Sequence, residues 1–361
     1  MSSLASSRPT DLLRRIEERA ARLAPRAVRF MEVCGTHTMA LFRSGIRAML
    51  PPNVKLLSGP GCPVCVTPMG VVDAAIEIAR RPGSCLATFG DMVRVPGSAS
   101  SLERAKAEGA DVRMVYSPLD ALKLAEADPG RMVVFFAIGF ETTTPTIAAT
   151  LAYARDRGLK NLLFLAANKV IPPAMEAILA GGEVKLDGFI CPGHVSVITG
   201  SAVYEPLAAK YRVPCVVTGF EAEDILEGIA MLLLQAVEGR AEVEVQYERW
   251  VSREGNAKAR ERVNEVFEPC DAAWRGLGTI PASGLALRPE LRAHDALAVL
   301  GVEVPPELEN PGCSCGAVLR GLIEPPECPL FASRCTPATP VGPCMVSTEG
   351  SCAAFYKYGE R

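Results

Sequence analysis

The chain predicts an α/β fold built on parallel sheets, and two patterns carry that reading. Short apolar runs rich in Val, Ile and Phe recur along it, and stretches with helical period and helix start signals lie between them. Strands alternating with helices of about ten or more residues form βαβ units around a parallel sheet. The first element is a helix: in TDLLRRIEERAARL (10–23), Leu12, Leu13, Ile16, Ala20 and Leu23 share one face, with Thr10 placed to cap it. After Pro25 the strands follow as VRFMEV (28–33), VKLLS (54–58), CLATF (85–89), VRMVY (112–116), MVVFFAI (132–138), NLLFLAA (161–167), GFICP (188–192) and VPCVVT (213–218). Before the helical run MGVVDAAIEIAR, Thr67 caps and Pro68 takes the first turn.

Eight such units exceed one comfortable sheet, so the reading divides them near residue 130 into two similar α/β domains facing a cleft, 26–130 and 131–245. An N-terminal helix within 1–25 is expected to pack on the C-terminal domain, a smaller loop-rich unit over 246–361. A faint echo runs through the sheets: Gly139-Phe140-Glu141 and Gly219-Phe220-Glu221 each follow an apolar strand, with Phe89-Gly90-Asp91 a looser relative. Ligands of open α/β sheets bind outside the carboxyl ends of the strands. Those ends carry CGTHT (34–38), GPGC (59–62), Glu141 with Thr142, Thr143 and Thr144, Asn168, and CPGH (191–194).

Composition narrows the function. Lys and Arg number 38 against 41 Asp and Glu, so there is no basic surplus of the kind a phosphate-neutralising nucleic-acid binder shows. The longest apolar runs are too short to span a bilayer, and the N-terminus lacks the apolar stretch of a secretory signal. A soluble, cytoplasmic protein is expected. Thirteen cysteines do not suit so bland a chain: cytosolic thiols are kept reduced, and an odd number excludes complete internal pairing. Metal or redox chemistry is the working reading.

Three constellations carry that chemistry. Cys62-Pro-Val-Cys65 precedes a helix, where free N–H groups and the helix dipole favour thiolate; it suits a reversible dithiol or a soft metal, and spacing does not choose between them. In CGTHT, Cys34 and His37 lie on one side of a first helical turn, Thr36 and Thr38 add hydroxyls, and a nucleophilic dyad competes with a metal ligand. In the tail, Cys313-x14-Cys328-x6-Cys335-x16-Cys352 supplies four thiolates, enough for a [4Fe–4S] cluster, with Cys315 and Cys344 left as spares. Tetrahedral zinc is the competitor, although the short C-x2-C knuckle of zinc ribbons is absent from the tail. Cys85, Cys191 and Cys215 sit in strand runs and read as small hydrophobes. Cys270 and His294 read as incidental, and His194, in a Pro-Gly turn, stays undecided. No Walker or dinucleotide fingerprint occurs.

With MEVCGTHT (31–38), LLSGPGCPVCVTP (56–68), IGFETTTPT (138–146), CPGHVSVITG (191–200) and the cysteine-bearing tail (327–358) in view, the chain resembles the HypD family of hydrogenase maturation factors over nearly its whole length. The resemblance implies a scaffold for assembling the Fe(CN)2CO unit of [NiFe] hydrogenases, with two α/β domains around a cleft and a third domain holding a [4Fe–4S] cluster. It implies Cys34 as an iron ligand shared with a small HypC-like partner, and a HypE-like partner that delivers cyanide. Cys62 and Cys65 match the pair tied to iron binding or thiol redox steps, and Cys313, Cys328, Cys335 and Cys352 match the cluster thiolates. Thr36, His37 and Thr38 are then expected to offer donors to bound cyanides, with Glu141, Thr142, Thr143 and His194 along the cleft. A dithiol–disulfide oxidoreductase fed by the cluster is the alternative.

Overall fold

The computed structural model describes residues 9–307 and 312–359; the expected segment 1–25 is described from Pro9 onward, its first residues lying outside the described ones. Every strand read from the sequence forms: β1 (Val28–Glu32), β2 (Val54–Ser58), β3 (Ser84–Thr88), β4 (Asp111–Met114), β5 (Met132–Ala137), β6 (Leu162–Ala166), β7 (Gly188–Pro192) and β8 (Cys215–Thr218). Three more follow: β9 (Val243–Val245), β10 (Phe267–Trp274) and β11 (Gly278–Leu287). β3, β7 and β8 are buried along their full length, as expected of parallel strands covered by helices on both faces.

Chain order does not decide sheet membership. One parallel sheet has the order β2-β1-β7-β8-β9, and a second has β4-β3-β5-β6. The boundary expected near residue 130 is therefore replaced by an interleaved path: the chain leaves the first sheet after β2, builds the second, and returns at β7, where Phe30 pairs with Gly188. The physical reason is that a strand apolar on both faces carries no mark of its sheet, and a helical crossover delivers it to either. One apolar cluster runs from Met31, Phe189 and Val217 in the first sheet, through Tyr204 and Ile171, to Leu86, Val134 and Phe136 in the second.

The helix Pro9–Leu23 packs on the helix Ala222–Glu238 of the first sheet, not on the C-terminal region. Its stripe of Leu12, Ile16 and Ala20 shares a cluster with Ile225, Ile229 and Leu233, a long apolar face that the short helices of the tail do not offer. The expected unit 246–361 also divides. β10 and β11 form an antiparallel hairpin docked on the second sheet through the Lys169–Gly284 bridge, and Phe267, Leu285 and Leu291 share a core with Phe135 and Phe164. Only the loops and short helices after residue 312 form the cysteine-bearing part, in which Cys315–Leu319, Pro343–Val346 and Ser351–Tyr358 are helical.

Candidate functional site

The site begins where β1 and β2 end side by side, with Glu32 paired to Ser58. The turn after β1 puts Cys34 ahead of the helix Gly35–Arg43, and the N–H groups of Thr36 and His37 point at its sulfur. Glu32 is buried beneath this turn: it accepts from the Cys34 N–H at 3.1 Å and from the Thr38 hydroxyl at 2.5 Å. The turn after β2 touches the first one directly. Gly35 donates its N–H to the Gly61 carbonyl at 2.9 Å, and a Cβ on Gly61 would stand 2.1 Å from the Cys34 nitrogen, so only glycine allows this approach. Cys62 then caps the single turn Pro63–Val66, its sulfur accepting from the Cys65 N–H at 3.2 Å.

The tail closes over both turns. The helix Pro343–Val346 packs on Pro63–Val66, which brings the Cys344 thiol against Cys65. Cys344 Sγ stands 2.7 Å from Cys315 Sγ and also meets Cys352, so the two cysteines read as spares join the CPVC pair to the rest of the tail. Cys62 Sγ donates to the Ser347 hydroxyl at 3.3 Å, and that hydroxyl donates to Asp91 Oδ2 at 3.3 Å; the Thr348 N–H and hydroxyl fix the same carboxylate at 2.8 and 2.9 Å. Glu349 accepts from the Thr36 hydroxyl at 2.8 Å. Sequence reasoning missed Glu32, Asp91, Ser347 and Glu349. Glu32 sits inside MEVCGTHT beside its partners Cys34 and Thr38, but nothing in the spacing of Glu349 announces a partner 313 residues away.

Cys313, Cys315, Cys328, Cys335, Cys344 and Cys352 line one cavity together with Val318, Leu330, Phe331 and Met345. N–H groups of Ser314, Leu330 and Phe331 point at the Cys328 sulfur and that of Val341 at Cys335 Sγ, 3.3 Å away. Burial pushes the Cys328 thiol up, yet these donors outweigh it and its pKa falls below the ordinary value. Among the described residues, no three His, Cys, Asp or Glu side chains are arranged to hold a metal ion, and every cysteine is free. The donor set, soft thiols in an apolar cavity with N–H groups at the sulfurs, fits an iron–sulfur cluster by its chemistry.

Electrostatics separate the thiols. Burial, with the Glu349 carboxylate beside it, pushes Cys34 up to about 12. Within the CPVC pair, burial holds Cys62 well above its ordinary value. The same burial opposes ionisation of Cys65, but the thiols of Cys344 and Cys62 and the Arg275 guanidinium prevail and draw it down to about 5. The two shifts run in opposite directions, so a proton is held more tightly on Cys62 than on Cys65.

His37 is fully buried and burial lowers it to about 4; its Nε2 lies 2.9 Å from both the Gly219 carbonyl and the Thr218 hydroxyl. Its ring stacks on Phe220 at 4.5 Å, and Phe220 stacks on His194 at 3.9 Å, so the second member of the Gly-Phe-Glu echo joins the two histidines. Glu141 goes elsewhere. Its Oε1 accepts from the Ile171 N–H at 2.9 Å, at the start of the helix Ile171–Gly181, its Oε2 is buried with no hydrogen-bond partner among the described residues, and burial raises it to about 7. None of its hydrogen bonds among the described residues reaches Cys34, Cys62 or Cys65. Thr142 beside it is exposed and Thr143 half-buried. His294 is buried rather than incidental to the fold, its Nδ1 2.9 Å from the Leu162 carbonyl.

Known proteins match this arrangement along the chain. A family profile for HypD, described as "Hydrogenase formation hypA family", covers residues 8–359. The chain belongs to the HypD family. It is 51% identical over 342 residues to the hydrogenase maturation factor HypD of Rhizobium leguminosarum bv. viciae, covering 92% of this chain and 89% of the relative. It is 50% identical over 354 residues to that of Azotobacter vinelandii, covering 95% and 93%. To that of Escherichia coli (strain K12) it is 45% identical over 357 residues, covering 97% and 95%. These relatives are by name hydrogenase maturation factors. Among the described residues no helix is long and apolar enough to cross a membrane.

Proposed function

We propose that this chain is a cytoplasmic scaffold on which the Fe(CN)2CO unit of a [NiFe] hydrogenase is assembled, working with a HypC-like chaperone and a HypE-like cyanide donor. One observation carries the reading: Cys34, the Cys62–Cys65 pair and the tail cysteines, far apart in the chain, converge on one edge of the first sheet. Iron is the cargo. Cys34 binds it once the thiol gives up its proton, and the N–H groups of Thr36 and His37 steady the resulting sulfur charge. Soft thiolate suits low-spin iron carrying cyanide and carbonyl.

Cys62 and Cys65 act as the dithiol. Oxidation of the pair by an external disulfide forms the Cys62–Cys65 bond, breaks the oxidant's S–S bond to give two thiolates, and frees the proton carried on Cys62. That proton leaves from Cys62 Sγ through the Ser347 hydroxyl to Asp91, a half-buried carboxylate. Cys344, lying between Cys65 and both Cys315 and Cys352, bridges the pair to the tail. Cys313, Cys328, Cys335 and Cys352 are the residues that hold a [4Fe–4S] cluster, which when bound supplies single electrons.

The test is co-purification without oxygen with the small partner, read by infrared absorption of iron-bound CO and cyanide together with iron and sulfide content. Bands at full strength in Cys34→Ala sink the ligand assignment, and zinc without acid-labile sulfide sinks the cluster. The contact of Cys344 with Cys65 also favours a second reading, a dithiol–disulfide oxidoreductase. That reading requires turnover of a generic disulfide that depends on Cys62 and Cys65 and is indifferent to Cys34.

A further inference from the structure

A pocket of about 230 Å³ opens beside the cysteine cavity and shares Cys313 and Cys315 with it. Arg275, Glu307, Cys313, Arg320 and Gly342 are among its walls. Arg275 is only 8% exposed and is fixed from behind: its backbone N–H donates to the Val66 carbonyl at 3.0 Å and its Nε to the Thr67 carbonyl at 2.9 Å. Its Nη2 is buried with no hydrogen-bond partner among the described residues. Nor does any carboxylate among them form an ion pair with it. A guanidinium is always charged; the Cys65 sulfur whose ionisation it favours lies near it, but Nη2 itself has no acceptor among the described residues, and a buried donor left without one is costly.

The remaining walls suit an anion of limited size. Arg320 also lines the pocket, with Nη1 paired to Glu183 at 2.6 Å and Nε donating to the Gly316 carbonyl at 3.3 Å, which leaves Nη2 for a ligand. Among the described residues one carboxylate, Glu307, lies on the wall, its Oε2 accepting from the Met69 N–H at 2.8 Å. A Cβ on Gly342 would lie 2.8 Å from Cys313 Sγ, so the glycine keeps the space beside that sulfur open. Sites for drug-sized organic ligands span roughly 300–1,000 Å³. This pocket falls below that range and fits a small ion or a single terminal group.

We propose that this pocket binds a small oxyanion, a phosphate or a carboxylate, held by the buried Arg275 guanidinium together with Arg320. The inference stands on this geometry alone and is independent of the maturation reading.

Calorimetric titration of the full chain, purified without oxygen in phosphate-free buffer, tests it with inorganic phosphate in one arm and acetate in the other. At least one is expected to bind saturably at one site per chain. Preference for phosphate identifies the free inorganic ion, and preference for acetate a carboxylate carried by a larger ligand. Arg275→Met is expected to weaken binding by about tenfold or more, the scale of one lost charged hydrogen bond. Arg14→Met, on the exposed face of the N-terminal helix, leaves it unchanged. Should Arg275→Met lose its native circular dichroism, the decision passes to Arg320→Met, where a loss of roughly threefold or more is expected. Absence of saturable binding in both arms, or undiminished affinity in the deciding variant, overturns the proposal.

Discussion

The two parallel sheets present polar residues at the carboxyl ends of their strands, yet only one of these edges gathers chemistry. At the first sheet, the turns carrying Cys34 and Cys62 touch through Gly61, and the tail adds Ser347, Glu349 and Cys344 from above. At the second, Glu141 turns inward to the start of a helix, Asn168 donates to the Gly139 carbonyl and Thr144, and Thr142 is left exposed. The same position in a βα unit therefore means two things. A strand end becomes a site when the element that covers it supplies complementary side chains; the β10–β11 hairpin meets Asn168, Lys169 and Val170 with its backbone, and the polar side chains there cap the nearest backbone.

The largest expected effect at the second edge is on pH dependence. Glu141 keeps its proton up to about 7 in the folded chain, whereas its ordinary value is 4.5. Between these values the folded state binds more protons than the unfolded one, so stability falls as pH rises from about 4.5 to about 7. At 1.36 kcal/mol per pKa unit the loss amounts to about 3 kcal/mol at most. Glu141→Gln, which keeps an acceptor for Ile171, should remove this part of the pH dependence and leave the part due to Glu32, which burial raises to about 8; comparing urea midpoints of variant and wild type at about pH 5 and about pH 8 checks this. An unchanged pH dependence in that variant breaks the assignment of a structural role to Glu141.

At the first edge the expected effects fall on the dithiol. Removing Arg275 as Arg275→Met takes a cation from Cys65 and destabilises the reduced pair. A loss of about 1.4 kcal/mol corresponds to about 30 mV, so the dithiol potential should become more negative by roughly that amount in a glutathione redox buffer. Ser347→Ala deletes the hydroxyl between Cys62 and Asp91. It should cost about 1 kcal/mol of stability and slow oxidation of the pair by a small disulfide, with Asp91→Asn slowing it too. Equal oxidation rates in wild type and both variants exclude this proton path. Phe220→Leu removes the ring between His37 and His194 and should cost about 1 kcal/mol, read by thermal unfolding. The smallest effect is expected at the second edge: Thr142→Ala should change stability by less than about 0.5 kcal/mol and leave the infrared bands of bound iron intact.

Much of this was legible before any coordinates. The strands after Pro25 follow from apolar runs of the right length, since burial on both faces demands that composition. The cysteines that line the tail cavity were legible too, because thirteen thiols have no place in an ordinary reduced core. Less legible was what those residues meet. Cys315 and Cys344 read as spares although Cys344 is the thiol in contact with the CPVC pair, and Glu141 read as a cleft residue although it caps a helix. The apolar stripe of the N-terminal helix was plain, but its partner, the helix Ala222–Glu238, was not.

Local pattern alone determined which segments are strands or helices and which residues bring sulfur, because period, capping and donor chemistry act over a few neighbouring positions. Tertiary structure alone decided which strands share a sheet, which thiol keeps a proton and which acid faces a cysteine. Those outcomes depend on burial and on charges brought close by packing, and residues far apart in the chain acquire a common environment only when the whole chain is folded.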